Sequence, residues 1–222
     1  MNRASCITLT IVAIGLVACA EGVRTSAGGY HAGSGDGGSA GSTGAGASEQ
    51  ALGMPNAGDV VFTELMPDPT ALSDYDAEWL ELINVSASTL TLEGCRLTDA
   101  GTNGDNHVIG APVIIAPAQV LVLAKTADAS ENGELPRVAY AFGNDFALTN
   151  TGDEVRLECG GTLVDEVVYT SDWPFGEGVA MQLEPAAQNG HDNDLVANWC
   201  AASTNYFPSE QGTPGNASHH CE

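Results

Sequence analysis

The stretch Glu78–Asp99, EWLELINVSASTLTLEGCRLTD, constrains the fold most, because leucines alternate with polar residues on either side of a polar turn. The leucines of the predicted inner face are Leu80, Leu82, Leu90 and Leu92. This period of two is typical of half-buried strands and predicts a β-hairpin or the first half of a β-meander. The alternation breaks after Gly94, where one extra residue, a β-bulge, would return Leu97 to the inner face.

Short segments of the same kind recur along the chain. The predicted strands are 59–65, 78–84, 89–98, 119–125, 154–158, 163–169 and 179–184, with shorter ones near 107–109 and 137–141. Gly, Pro, Asn and Asp turns separate them, and no useful helical period occurs, so the pattern predicts one all-β sandwich of about 150 residues. Asp165 shares a strand face with Val167 and Tyr169. The predicted packing residues include Trp79, Trp173 and Trp199, and a carbohydrate-stacking Trp173 is the alternative.

Taken in order, these segments resemble the lamin tail domain family, whose fold is an immunoglobulin-like β-sandwich. The resemblance is carried by VVFTELMPDP (60–69), EWLELINVS (78–86), LTLEGCRLTD (90–99), APAQVLVLAK (116–125), FALTNTGDEVRLE (146–158), LVDEVVYTSDW (163–173) and GVAMQLE (178–184). It extends over residues 58–207 and is strongest toward bacterial, envelope-attached members. The resemblance implies an interaction or architectural module without shared catalytic residues.

Residues 1–18 have the pattern of a lipoprotein signal peptide. A positive charge is followed by an apolar run that is too short to span a bilayer comfortably. The run ends in LVAC (16–19), which resembles a bacterial lipobox, so Cys19 is the predicted lipidated first residue after cleavage. An ordinary signal peptide cut near Ala18 or Ala20 is the alternative. Several acyl chains on Cys19 would anchor the protein stably, and Ala20 rather than Asp at the next position favours the outer membrane.

Residues 19–57 are predicted to form a lipidated, Gly/Ser-rich, disordered linker. The segment 27–48, AGGYHAGSGDGGSAGSTGAGAS, has almost no large apolar side chain and cannot offset the entropy of ordering. As a flexible coil of about 38 residues, the linker would span roughly 35 Å.

An even number of cysteines remains beyond Cys19, which in an exported domain predicts disulfides. These cysteines are Cys95, Cys159, Cys200 and Cys221, and they allow three pairings. We favour Cys200–Cys221, which would tie a C-terminal tail (208–222) back to the domain and leave Cys95–Cys159 between two strands. A zinc site at Cys221 with His219 and His220 is the alternative, although the chain has no CxxC pair.

The chain carries 29 acidic and only six basic residues, a formal charge of −23. Phosphate contacts need clusters of Lys and Arg, so nucleic acid is not an expected partner. The acidic loops suggest a calcium site, since hard cations take carboxylate oxygens, although no EF-hand or nonapeptide-repeat spacing is present. The first loop, with Asp68, Asp74 and Asp76, is the best candidate, ahead of the Asp99–Asp105 loop and GHDND (190–194).

No HExxH or SxxK motif occurs beyond the leader, and His107 and His191 have no evident nucleophile partner. The expected function is therefore non-catalytic: an envelope lipoprotein, in the outer membrane, whose domain binds an unidentified protein or glycan partner and needs no cofactor. A calcium-dependent adhesion or glycan-binding module is the first alternative. A hydrolase that uses paired loop carboxylates is the second.

Overall fold

The structure is a computed structural model that describes residues 52–99, 104–216 and 220–221. Its strands are β1 (Val60–Met66), β2 (Trp79–Asn84), β3 (Leu90–Thr91), β4 (Arg96–Thr98), β5 (Asn106–Val108), β6 (Ile114–Ile115), β7 (Val120–Ala124), β8 (Val138–Ala141), β9 (Gly152–Cys159), β10 (Thr162–Thr170), β11 (Met181–Leu183), β12 (Trp199–Ala201), β13 (Asn205–Phe207) and β14 (Glu210–Gln211). Within these residues the helical elements are α1 (Asp74–Ala77) and the 3-10 turns Pro185–Ala187 and Val196–Asn198.

Two main sheets pack around one core, which confirms the predicted all-β, immunoglobulin-like sandwich. The larger sheet has six strands in the order β12-β11-β1-β2-β7-β8, and the smaller has four in the order β10-β9-β4-β5. Short pairs, β3 with β6 and β13 with β14, complete the described strands. The sequence pattern missed β6, β12, β13 and β14 because strands of two or three residues are too short to show a period.

The core takes side chains from both main sheets. It includes Val60, Leu65, Leu80, Leu82, Leu90, Leu92, Leu97, Val155, Leu157 and Val167, all buried. The predicted inner-face leucines therefore do point inward. Cys95 and Cys159 lie in the same core and form a disulfide there, which joins the segment before β4 to the end of β9.

The two strands of the Glu78–Asp99 stretch do not pair with each other, so the predicted hairpin is wrong. β2 lies between β1 and β7, whereas β3 pairs with β6 through Leu90 and Ile115. The predicted single strand 89–98 is also interrupted, because the chain turns at Gly94, whose φ is +82°. This turn, in place of the predicted bulge, returns Leu97 to the core.

The larger sheet is buried on both of its faces, which the alternation in β2 did not predict. Trp79 and Glu81 alternate with the core leucines of β2 and are nevertheless fully buried. They lie on the outer face, where a second apolar cluster consists of Met66, Trp79, Val122, Ala124, Leu135, Ala180 and Ala202. In β7, residues 121–124 are all buried, so this strand too is covered on both faces.

A segment near the C-terminal end of the described chain covers this outer face. We call residues 212–216 the strap. Immediately before it, Gln211 forms a bridge with Val179, and the Glu210 carboxylate accepts hydrogen bonds from the backbone N–H groups of Thr70 (2.7 Å) and Ala71 (2.5 Å). The predicted tail 208–222 is thus, at least to residue 216, part of the folded body.

The folded body also begins earlier than the predicted linker boundary at residue 57. The N–H of Thr91 donates to the carbonyl of Gly53 at 3.0 Å, and Gly53 forms a bridge with Leu90. Pro55 is buried, and Asn56 donates from its backbone and its side chain to Asp59. Residues 52–57 therefore belong to the domain, and the rest of the predicted linker lies outside the described residues.

Candidate interaction site

The predicted lipidation site Cys19 and the predicted signal peptide 1–18 lie outside the described residues. In the part of the chain that the structure describes, no helix is long and apolar enough to cross a membrane.

Two of the three aspartates proposed for calcium approach each other in the loop after β1. The side-chain amide of Asn150 donates to Asp68 Oδ1 and to Asp74 Oδ2, each at 3.0 Å. Partial burial, followed by the charges of Asp74 and Glu177, raises the pKa of Asp68. Asp76 lies in α1, and no group of three metal-ligating side chains forms among the described residues. Calcium binding at this loop stays a prediction.

The cysteines form the pairs that the sequence analysis favours. Cys95–Cys159 and Cys200–Cys221 are both disulfides. The alternative zinc site has no free Cys221 thiolate to use, because that sulfur is bonded to Cys200. The Glu184 carboxylate also binds residues 220–221. It accepts a hydrogen bond from the Cys221 N–H at 2.8 Å and contacts His220 Nδ1 at 2.5 Å.

The side chains of Trp173 and His107, which were candidates for ligand binding and for catalysis, make contacts within the fold. Trp173 is buried and packs against Trp199, with ring centroids 5.9 Å apart, so it does not offer a carbohydrate-stacking face. His107 Nε2 lies 2.8 Å from the Tyr140 hydroxyl, and its Nδ1 lies 3.7 Å from Asp145. The His107 ring is thus held between the Tyr140 hydroxyl and the Asp145 carboxylate.

Two carboxylates lie side by side under the strap. Glu64 of β1 is directly opposite Glu81 of β2, and both are almost fully buried. Thr213 donates from N–H to Glu64 Oε1 (2.7 Å) and from Oγ1 to Glu64 Oε2 (2.9 Å). Gly215 N–H donates to Glu81 Oε2 (2.8 Å), and Thr63 Oγ1 to Glu81 Oε1 (2.7 Å). These carboxylates fasten the strap and are closed to substrate.

Burial changes the ionisation of this pair. It raises the pKa of Glu64 to about 7, against the lowering effect of the bonds from Thr213. Burial, and then the charge of Glu64, raises the pKa of Glu81 to about 8. The structure thus brings together two acids that alternation alone would place on a solvated face. The sequence contains only a weak indication that Glu64 and Glu81 are buried, because the strap that covers them is distant along the chain.

A third buried acid, Asp165, connects the two main sheets. Its Oδ2 accepts from Phe62 N–H (2.8 Å) and from Asn193 Nδ2 (2.7 Å). The carbonyl of Asn193 in turn accepts from Trp199 Nε1 (2.7 Å). Burial is the main cause that raises the pKa of Asp165 to about 7, and the charge of Asp194 adds to it. Asp165 could be singled out beforehand, because its alternation places it on one strand face with Val167 and Tyr169.

Beside Asp165 the surface opens into a pocket. Its volume is about 490 Å³, and its walls are the segments 57–58, 163–166 and 189–191 together with Asp194. We call it the β10 pocket. Asn189 shapes the loop on one side, because its Oδ1 accepts from the backbone N–H groups of His191 (3.2 Å) and Asp192 (3.0 Å). This loop, GHDND, is one of the acidic loops considered for calcium, but nothing in the sequence connects it with Asp165.

The two main sheets, packed around one core, define an immunoglobulin-like β-sandwich. A sequence model of the Lamin Tail Domain family matches residues 54–171. This match spans more than half of the chain, and the chain therefore belongs to the lamin tail domain family, a class of non-enzymatic interaction modules. β11 to β14 and the strap lie beyond the matched residues. Neither the curated proteins nor the solved structures include a match to the chain.

Proposed function

We propose that this protein is a bacterial envelope lipoprotein that presents its lamin tail domain as a non-catalytic binding module on a flexible, lipid-anchored tether. The observation that carries the proposal is the sequence LVAC (16–19), which stands between a signal-like leader and a Gly/Ser-rich stretch that leads into a domain of an interaction family. Thioether and amide acyl chains on Cys19 would supply the anchor, since more than one chain is needed for stable membrane attachment.

A binding role is supported by the buried carboxylates of the domain, which are used in hydrogen bonds within the fold. The buried carboxylates Glu64 and Glu81 accept hydrogen bonds from the strap, so this pair is covered by it. A hydrolase would need a pair of carboxylates that faces a substrate cleft. The chain has a formal charge of −23, and a tether of roughly 35 Å would lift the domain clear of lipid headgroups.

Replacement of the predicted lipidated residue tests the proposal. We expect Cys19→Ser to abolish labelling by a radioactive palmitate precursor and to move the protein from the outer-membrane fraction to the soluble fraction. Cys6→Ser is the matched control, because Cys6 would leave with the leader, and this variant should fractionate as the unaltered protein does. Unchanged membrane association and labelling of Cys19→Ser would refute the lipoprotein proposal.

A further inference from the structure

The β10 pocket has an excess of negative charge on its walls. Asp165, Glu166 and Asp194 line it, and the Arg156 side chain is ion-paired with Glu166. Partial burial, followed by the charge of Glu166, raises the pKa of Asp194, while His191 acts in the opposite direction. A pocket in which carboxylates disfavour one another's charge attracts a cation.

Asp165 lines the pocket, and its buried Oδ1 lacks a hydrogen-bond partner within the described ranges of the chain. Within the same ranges Asn193 Oδ1 is also buried without a partner, and the Asn193 amide donates to Asp165 Oδ2. Asp165 is only 4% exposed. A Cβ added to the pocket residue Gly190 would stand 3.3 Å from Asp165 Oδ1, so this oxygen lies directly under the pocket wall. Unmatched buried acceptors are costly, and a donor that enters the pocket would offset part of that cost.

Part of the pocket's surroundings is apolar. Leu163, a lining residue, is 39% exposed, and the loop continues from Asp194 into the exposed Leu195 and Val196. Lysine and arginine have an apolar stem and a charged head that donates hydrogen bonds, so a basic side chain can contact such apolar surroundings while its head faces the acids. The volume of the pocket is in the range of ordinary ligand pockets.

We infer that the β10 pocket receives an arginine or lysine side chain from a basic segment of a protein partner. This inference rests on the proposed function as a binding module and names the class of partner. Charge complementarity favours it, because acidic residues outnumber basic ones 29 to six in this chain. Complementary charge mainly accelerates encounter and selects the partner, while the pocket provides the local contact.

A small probe with a single positive charge tests the pocket, because it is attracted to an acidic surface in general much less than a basic peptide would be. The full chain with Cys19→Ser, labelled with ¹⁵N, is titrated with acetyl-arginine amide, and acetyl-citrulline amide serves as the neutral analogue. We expect saturable amide shifts at Gly58, Gly190 and Asp194 with the arginine probe and none with the citrulline probe. Because the test uses unlipidated protein, its result is independent of the fractionation experiment.

A matched pair of variants separates the pocket from net charge. Asp194→Asn should weaken binding of the arginine probe about three- to fivefold, as expected for one partly exposed charge pair. Glu93→Gln removes the same charge at an exposed turn away from the pocket and should leave binding unchanged. Equal effects of the two variants, shifts spread over the whole surface, or no saturable shift would overturn the inference.

Calcium chloride is the last arm of the experiment. If calcium shifts the same amides and acetyl-arginine amide does not, the pocket is a metal site and the inference about a basic partner is wrong. If acetyl-arginine amide shifts the pocket amides and calcium shifts only the amides around Asp68 and Asp74, the inference is supported, and so is the calcium prediction for the first loop.

Discussion

Gly212 shows how closely the strap approaches the larger sheet. A Cβ at this position would stand 2.9 Å from Trp79 Cζ2 and 3.1 Å from Glu64 Oε1. We expect Gly212→Ala to lower the free energy of unfolding by about 1–3 kcal/mol, because the strap or the indole must move to relieve the overlap. Urea denaturation followed by tryptophan fluorescence measures this change.

Gly53→Ala is the control for Gly212→Ala, since an added Cβ there meets nothing within 4 Å. It should change the free energy of unfolding by a few tenths of a kcal/mol at most, in the range of ordinary surface substitutions. If both alanine variants are equally stable, the strap does not lie as close to Trp79 as the structure indicates.

For single residues, the sequence predicts the environment of those side chains whose chemistry allows few alternatives. The tryptophans are packing residues as predicted, and the disulfides join the favoured cysteines. Glu64 and Glu81 could not be placed in the same way, because alternation within β1 and β2 reports only which residues share a face. Whether that face is covered depends on Thr213, which lies 149 residues after Glu64.

For the secondary-structure elements, the sequence predicts where strands lie along the chain better than it predicts which strands pair. The ranges 59–65, 119–125 and 163–169 differ from β1, β7 and β10 by only one residue at each end. The hairpin between β2 and β3 was wrong, because hydrophobic alternation specifies an inner face but not a hydrogen-bonded partner. The strands that pair with β2 are β1 and β7, both antiparallel to it. β7 follows β2 only after several other elements, so the local pattern around β2 does not reveal it.

The Cys200–Cys221 disulfide limits how far the chain around the strap can move from β12. The bonded residues are 21 apart, and in the loop-entropy account this crosslink stabilises the fold by about 3 kcal/mol. We expect the double variant Cys200→Ser, Cys221→Ser to lose about that much stability. Hydrogen exchange should also become faster at the Thr213 and Gly215 amides, which donate to Glu64 and Glu81.

The other disulfide provides the comparison for that experiment. Cys95–Cys159 closes a separation of 64 residues inside the core, so Cys95→Ser with Cys159→Ser should cost about 4 kcal/mol or more. Its effect on exchange should be spread over β4 and β9 and should not concentrate in the strap. Identical exchange patterns for the two double variants would contradict separate roles for the two crosslinks.

For the molecule as a whole, buried carboxyls predict that stability falls as pH rises. Burial raises the pKa values of Glu64, Glu78 and Asp165 to about 7 and that of Glu81 to about 8. Acids with a raised pKa bind protons more tightly in the folded state, so their contribution is present below the unfolded pKa and is lost as pH rises through the folded pKa. We expect a lower melting temperature at about pH 8 than at about pH 5.

Glu81→Gln isolates one member of this group. The amide is neutral at every pH, so between about pH 5 and about pH 8 the variant should lose less stability than the unaltered protein does, by roughly 3 kcal/mol. Glu93→Gln, at an exposed turn, should leave the pH dependence as it is. A melting temperature that rises steadily toward about pH 8 in the unaltered protein would show that these carboxyls ionise freely in the fold.

The strap also has a consequence for the order of events during synthesis. Its Thr213 completes the cover over β1, one of the first strands of the domain to leave the ribosome. Under the proposed export, a chain halted before this residue would present the Trp79 indole and two uncovered acids to envelope proteases. Resistance to cleavage is therefore acquired late, when translocation has delivered the residue that closes over the earliest strand.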